Sequence, residues 1–208
     1  MANWVSAASL YTPRGKRKYL TGDERARFIG AAMAHPRADI GLLCLTLAHL
    51  GCRISEALAL RPSSISADQG LVSVVSLKKR GRLHVREIPA PDDLLASLSA
   101  YSNGLRHEKL WTWSRSQAWR LIKAVMAEAK IAPGVHATPK GLRHAFGLHA
   151  IRSRVPLNLL QKWLGHASMK TTAIYADAMG EEEREIASRM WSVNPDTPVE
   201  TMKIVPGS

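Results

Sequence analysis

From Thr21 onward the chain reads as helical segments broken by one stretch of a different period. Thr21 with Glu24 three residues later is the signature of a capped helix start, and Ala26, Phe28, Ile29 and Met33 offer an inward face. After Pro36, residues 38–50 are dense in Leu and Ala, which predicts a buried helix closed by Gly51 at its C-cap. Residues 71–89 change to alternation by two, with Val72, Val74 and Ser76 on one face, and predict an antiparallel hairpin with Gly81 at its turn. Pro91 starts a helix running to about Tyr101. Leu110 to Trp113 read as a short strand. Ser114 or Ser116 then caps a helix to Lys130 whose core stripe is Trp119, Ile122, Val125 and Met126. Thr138 caps the next helix and Pro139 takes its first position. Gly165 marks a helix end, Ser168 starts a short segment carrying Tyr175, and 180–191 reads as an acidic helix. The fold class expected is α+β, mostly helical, with one small antiparallel sheet.

Charge changes the picture. Lys and Arg number 29 against 17 Asp and Glu, a formal +12, which points to a polyanionic partner. A 46% hydrophobic content permits a real core in a chain of 208 residues. No run approaches the roughly 20 apolar residues a membrane span needs, and the first twenty residues do not form a signal peptide. Cys44 and Cys52 fall in one apolar region and are expected as buried thiols in a reducing cytoplasm. No metal-ligand spacing occurs: His144 and His149 are five apart, off one helical face.

Candidate chemistry gathers between Thr138 and Tyr175. Arg143 stands at the start of an apolar helical run, His166 follows Leu164 and Gly165, and Tyr175 comes nine residues later. A guanidinium fork matches two phosphate oxygens, an imidazole can donate to a third, and a phenol can attack phosphorus if a base or cationic field activates it. Upstream, Arg53 sits beside the most apolar helix, where burial is costly without a partner, and Glu56 could supply one. The hairpin tip carries Lys78, Lys79, Arg80 and Arg82.

In combination these strings resemble the tyrosine recombinase (phage integrase) family. The LRH around Arg143, the LGH ending at His166 and Tyr175 resemble its C-terminal half; GCRISEALALRP, 51–62, resembles its first-arginine motif. The resemblance covers about residues 20–191. It implies the family's DNA breaking-rejoining catalytic fold, with Arg53 and Arg143 as the catalytic arginines, Glu56 positioning Arg53, His166 as a phosphate donor and Tyr175 as nucleophile. It also implies a general-acid lysine on the hairpin, Lys78, with Lys79 as the alternative. One position departs from the pattern. Where H-x-x-R is usual, Lys140-Gly-Leu-Arg143 stands; a lysine can still contact phosphate but is a poor base unless its pKa is strongly lowered, which leaves the base open.

The expected organisation is a basic arm at 1–20, disordered or extended, a catalytic domain at 21–191 and a disordered tail at 192–208. In the arm, Arg14, Lys16, Arg17 and Lys18 would follow a DNA backbone, joined by Lys79, Arg80 and Arg82. Family members usually carry a further N-terminal domain of about a hundred residues, a small domain, so a minimal recombinase, or one clamped by another protein, is expected. The resemblance implies site-specific cleavage and rejoining of double-stranded DNA with no cofactor and no metal. Self-association on DNA as a dimer or tetramer and an accessory DNA-binding protein are the partners expected, with no membrane, in the cytoplasm at the nucleoid. Two other readings are topoisomerase-like relaxation of the type IB kind and a non-catalytic DNA-binding relative.

Overall fold

The structure, a computed structural model, describes residues 9–77, 83–105 and 108–176. Residues 9–20, the described part of the expected arm, form a tight hairpin. Lys18 N–H bonds the Leu10 carbonyl, Thr12 N–H bonds that of Lys16, and Tyr11 bridges Arg17 across the turn. Gly15 takes the left-handed φ of +73° that closes it. Leu10 and Leu20 are buried, and Arg17 is held by the Glu24 carboxylate. Two of the arm's four cations therefore serve the fold: Arg17 binds Glu24 and Lys18 Nζ reaches the Ser9 carbonyl, while Arg14 and Lys16 at the turn stay exposed.

Helix α1, Gly22–Met33, begins with the reciprocal capping box of Thr21 and Glu24. Its buried residues are Glu24, Phe28 and Ala32, four apart, so the inward stripe is rotated from the one expected. Ala26 is exposed and Met33 is 72% exposed. Helix α2, Ala38–Leu50, is almost wholly buried and ends at Gly51 with φ +58°. A four-residue helix α3, Ile54–Ala57, leads to a three-stranded antiparallel sheet of β1 (Ile65–Ser66), β2 (Leu71–Leu77) and β3 (Leu83–Pro89) in that order. Val72 faces Ile88 and Val74 faces Arg86. Both valines are fully buried, as the alternation required.

Helix α4, Asp92–Asn103, starts after Pro91, and α5, Arg115–Glu128, starts at a Ser114–Gln117 capping box. Leu110 to Trp113 form no strand; Leu110 and Trp111 are instead buried in irregular chain, with the Trp111 indole N–H on the Asp39 carbonyl. On α5, Ala118, Ile122, Val125 and Met126 turn inward while Trp119 is 43% exposed, its ring beside the Lys123 ammonium. Helix α6, Pro139–Arg152, starts at Thr138; α7, Leu157–Leu164, ends at Gly165; α8 is Met169–Ala176. The expected acidic helix and the tail lie outside the described residues.

Two apolar clusters hold these elements. The larger joins α1, α2, α4, α5 and the sheet; the smaller joins α7, α8 and Leu10. Helix α6 belongs to both, through Leu142 and Ala145 on one side and Phe146, Leu148 and Ala150 on the other. Arg143 thus lies at the seam. Among the described residues no helix is long and apolar enough to cross a membrane.

The α2–α6 contact is close because residue 51 has no side chain. A Cβ there would collide with the Phe146 ring, in a backbone region where other residues are strained. Gly51→Ala is expected to lower stability by about 2–4 kcal/mol, read as a denaturant midpoint shift at constant slope.

Candidate active site

A four-residue helix would be a weak place to mount a charged side chain, and its support comes from one carboxylate. Glu56, on α3, is 6% exposed. Its Oε2 accepts the Arg53 backbone N–H at 2.7 Å and Arg86 Nη2 at 2.6 Å; its Oε1 accepts Arg53 Nη1 at 2.8 Å. Burial pushes the carboxyl up, but these donors outweigh it and hold its pKa below the usual range. The Arg53 side chain leaves this anchor about half exposed. Arg86 does not: it is 2% exposed, with Nε on the Trp163 carbonyl at 2.7 Å. One guanidinium therefore ties β3 to α3 and to the end of α7. Gly165 makes room for it, since a Cβ there would stand 3.1 Å from its carbon.

Arg143 is equally deep. It is 7% exposed and donates from Nη1 to the Gly51 carbonyl at 2.7 Å and from Nη2 to the Leu164 carbonyl at 2.6 Å. These carbonyls terminate α2 and α7, where helix ends leave acceptors unsatisfied and a cation is favoured. Burial, followed by the charge of Arg53, lowers its pKa to about 10, and it stays protonated at neutral pH.

His166 stands just past α7. Its Nδ1 is 3.0 Å from the hydroxyl of fully buried Thr172, which makes no other hydrogen bond among the described residues. The tautomer with a bare Nδ1 satisfies that hydroxyl and leaves the N–H on Nε2. Burial, then Arg143 and Arg53, depress the pKa of His166 to about 3, so its ring is neutral.

The ring stacks on Tyr175 at 6.4 Å and 11°. Tyr175 is 1% exposed, seated on Gly147, where a Cβ would come within 2.6 Å of its ring. Its hydroxyl lies 3.1 Å from His144 Nδ1. Burial raises the phenol to about 12, against the opposing pull of Arg143 and Arg53.

Of the residues singled out in the sequence, Arg53, Glu56, Arg143, His166 and Tyr175 are brought into one neighbourhood. Lys140 is exposed on the first turn of α6. Lys78, Lys79, Arg80 and Arg82 lie outside the described residues, between the paired Leu77 and Leu83 in sequence. Sequence reasoning missed Arg86, Thr172 and His144. Parity along β3 could have found the first, because Arg86 shares a face with Ile88 and opposes Val74.

A cluster of two arginines, two neutral imidazoles and a phenol can bind an anionic ester and offer it a nucleophile. Comparison with known proteins agrees with that chemistry. A profile of the phage integrase family matches residues 18–182. A tyrosine recombinase of Thermosipho africanus is 30% identical over 188 residues, 86% of this chain and 64% of that protein. Tyrosine recombinase XerA of Pyrococcus furiosus is 29% identical, over 85% and 63%. Among solved structures, a XerA recombinase superposes with TM-score 0.68 at 26% identity, covering 85% of this chain and 66% of that one. The catalytic domain of bacteriophage HP1 integrase shares the fold with TM-score 0.63 at 20% identity, over 82% and 93%. The chain spans a little under two thirds of the curated relatives' length.

Removing Arg86 takes one of three donors, and the most deeply buried cation, from the Glu56 carboxylate. Arg86→Met is expected to cost about 3–5 kcal/mol in equilibrium unfolding, whereas adding Glu56→Met to it should recover part of that loss.

Proposed function

This chain belongs to the phage integrase family, and from that premise we propose that it is a site-specific recombinase that cleaves and rejoins DNA strands through a 3′-phosphotyrosyl intermediate. The single observation that carries the reading is the convergence of Arg53, Arg143 and His166 on a tyrosine whose pKa both arginines pull downward. The formal charge of +12 supplies the sequence-independent grip on a duplex.

In this mechanism the arginines and the Nε2–H of His166 bind the non-bridging oxygens of one phosphodiester and stabilise the charge that grows on them. Arg53, exposed beyond its Glu56 anchor, makes the first contact. Tyr175 leaves its seat on Gly147, attacks phosphorus and expels the 5′ oxygen. Lys78 on the hairpin loop, or Lys79 beside it, protonates that oxygen; Lys140 contributes a phosphate contact. Exposed Arg14 and Lys16, with Arg80 and Arg82, extend the contact along the backbone. The bond energy is conserved in the tyrosyl ester, so no cofactor is needed. Rejoining to a partner strand requires further copies assembled as a dimer or tetramer on DNA, with an accessory DNA-binding protein as a possible clamp, and DNA as substrate puts the protein at the nucleoid in the cytoplasm. DNA-bound solved relatives, XerH on difH DNA among them, support a duplex as substrate.

Tyr175→Phe should bind DNA as the parent protein does and form no covalent complex on a nicked suicide substrate. An adduct that persists, or maps to Tyr11, Tyr19 or Tyr101, removes Tyr175 from the role. Plasmid relaxation without any recombination site would instead indicate topoisomerase-like action.

The acid is read separately. Sulfur in place of the bridging 5′ oxygen gives a leaving group that needs little protonation. Lys78→Ala should be slow on ordinary DNA, by roughly 10²-fold or more, and recover on the sulfur-bridged substrate. Arg53→Ala and Arg143→Ala should not recover. Recovery by Lys79→Ala alone moves the role one residue along.

A further inference from the structure

The residue that would activate Tyr175 has no occupant in the scheme above. The position where a histidine is usual holds Lys140, an exposed ammonium on the first turn of α6 that has no lone pair to accept a proton at neutral pH. One turn further along the same helix stands His144. Its Nδ1 is 3.1 Å from the Tyr175 hydroxyl oxygen, and that is the hydroxyl's one hydrogen bond among the described residues. The two rings are tilted at 54° with centroids 5.9 Å apart, so the contact runs through nitrogen and oxygen, not ring face to ring face.

We propose that His144 is the general base that takes the proton from the Tyr175 hydroxyl during DNA cleavage. The assignment rests on the recombinase reading of this site. The phenol donates to a bare Nδ1, which puts the ring's own hydrogen on Nε2. That nitrogen makes no hydrogen bond among the described residues, and the side chain is only part-buried, which leaves a route for proton exchange with water.

The step balances. The Tyr175 O–H bond breaks in the seated state, where the 3.1 Å contact exists, and its proton passes to Nδ1; the tyrosyl oxygen then leaves the seat and bonds to phosphorus. The bond from phosphorus to the 5′ oxygen breaks, and that oxygen takes a proton from the hairpin lysine. On rejoining, the imidazolium returns its proton to the tyrosyl oxygen as the ester is cleaved.

The surroundings keep the ring unprotonated at rest. His144 is faced by Lys140 and Arg143 on its own helix, Lys18 from the N-terminal hairpin, Tyr175 on α8 and His166 in the turn before it. Burial, then the charges of Lys140, Arg143 and Lys18, hold its pKa near about 4, so Nδ1 is unprotonated at neutral pH. A bound phosphodiester brings negative charge into this cationic field. It thereby raises the proton affinity of the ring where and when the phenol must be deprotonated. Lys140 has a part in this arrangement too: after burial, its charge is the next contribution that holds the neighbouring imidazole free of a proton.

The test is single-turnover cleavage of a nicked suicide substrate across pH, with Tyr175 either natural or replaced by a ring-fluorinated tyrosine whose phenol is more acidic. His144→Gln should bind DNA like the parent and cleave roughly 10²–10³-fold more slowly with the natural tyrosine. Most of that loss should be regained with the fluorinated tyrosine, and rates in the variant should climb with pH as the phenol ionises unaided. Melting curves establish that the variant is folded; His144→Asn makes the same comparison if His144→Gln is not. A His144→Gln rate equal to the parent's overturns the proposal. So does an equal slowing with both tyrosines, which would mean that His144 only holds the ring in place. Rescue of Lys140→Ala by the fluorinated tyrosine, with none for His144→Gln, gives the base role to Lys140. A parent protein that forms no tyrosyl adduct at all refutes the recombinase reading itself, an outcome separable from each of the others.

Discussion

The Glu56 carboxylate is the constraint on which the site depends. It accepts three hydrogen bonds, from the backbone and side chain of Arg53 and from Arg86, in a position 6% exposed. An unpaired carboxylate there would carry a large desolvation cost, so its partners are fixed as firmly as it is. Arg86 passes that constraint to the Trp163 carbonyl and, through the packing under Gly165, to the turn that presents His166. A helix of four residues thereby acquires a rigidity its own hydrogen bonds could not supply.

Arg143 plays the corresponding part on the other side. Its two donors close carbonyls at the ends of α2 and α7, which lie far apart in the chain. A lysine could not span both, because an ammonium is a point donor and a guanidinium a planar fork. Burial, and after it the cationic field of the neighbouring arginines and lysines, sets the state of the remaining groups. Both imidazoles are held neutral, and the phenol's rise from burial is checked. The site is therefore polarised before any substrate enters, the condition under which electrostatic stabilisation needs least reorganisation.

Much of this was legible in the sequence wherever the signal was local. Capping at Thr21, Ser114 and Thr138 and the left-handed turn at Gly51 involve neighbours within four residues, and each occurs where the residues indicate. Arg53, Arg143, His166 and Tyr175 stood out because their chemistry is uncommon in combination. Faces were harder. On α1 the burial of Glu24, drawn inward by Arg17, rotates the stripe and leaves Met33 in solvent, and on α5 Trp119 finds Lys123 at the surface. Arg86 was lost among the other cations of the hairpin, although its parity with Ile88 marked it as inward. The pairs His144–Tyr175 and His166–Thr172 depend on how α8 crosses α6 and the preceding turn, which no short-range pattern encodes.

The seat on Gly147 has a further consequence. With Tyr175 1% exposed, the hydroxyl proposed as nucleophile is almost wholly withheld from solvent and from any phosphate that drifts past. On the recombinase reading, the rate of the first chemical step is the intrinsic rate multiplied by the fraction of molecules with the tyrosine out of its seat. Each tenfold preference for the seat, about 1.4 kcal/mol, slows idle cleavage of stray DNA by the same factor. A glycine that seems only to save space therefore sets how often an unengaged molecule is armed, and a correct substrate gains speed by shifting that population as well as by binding.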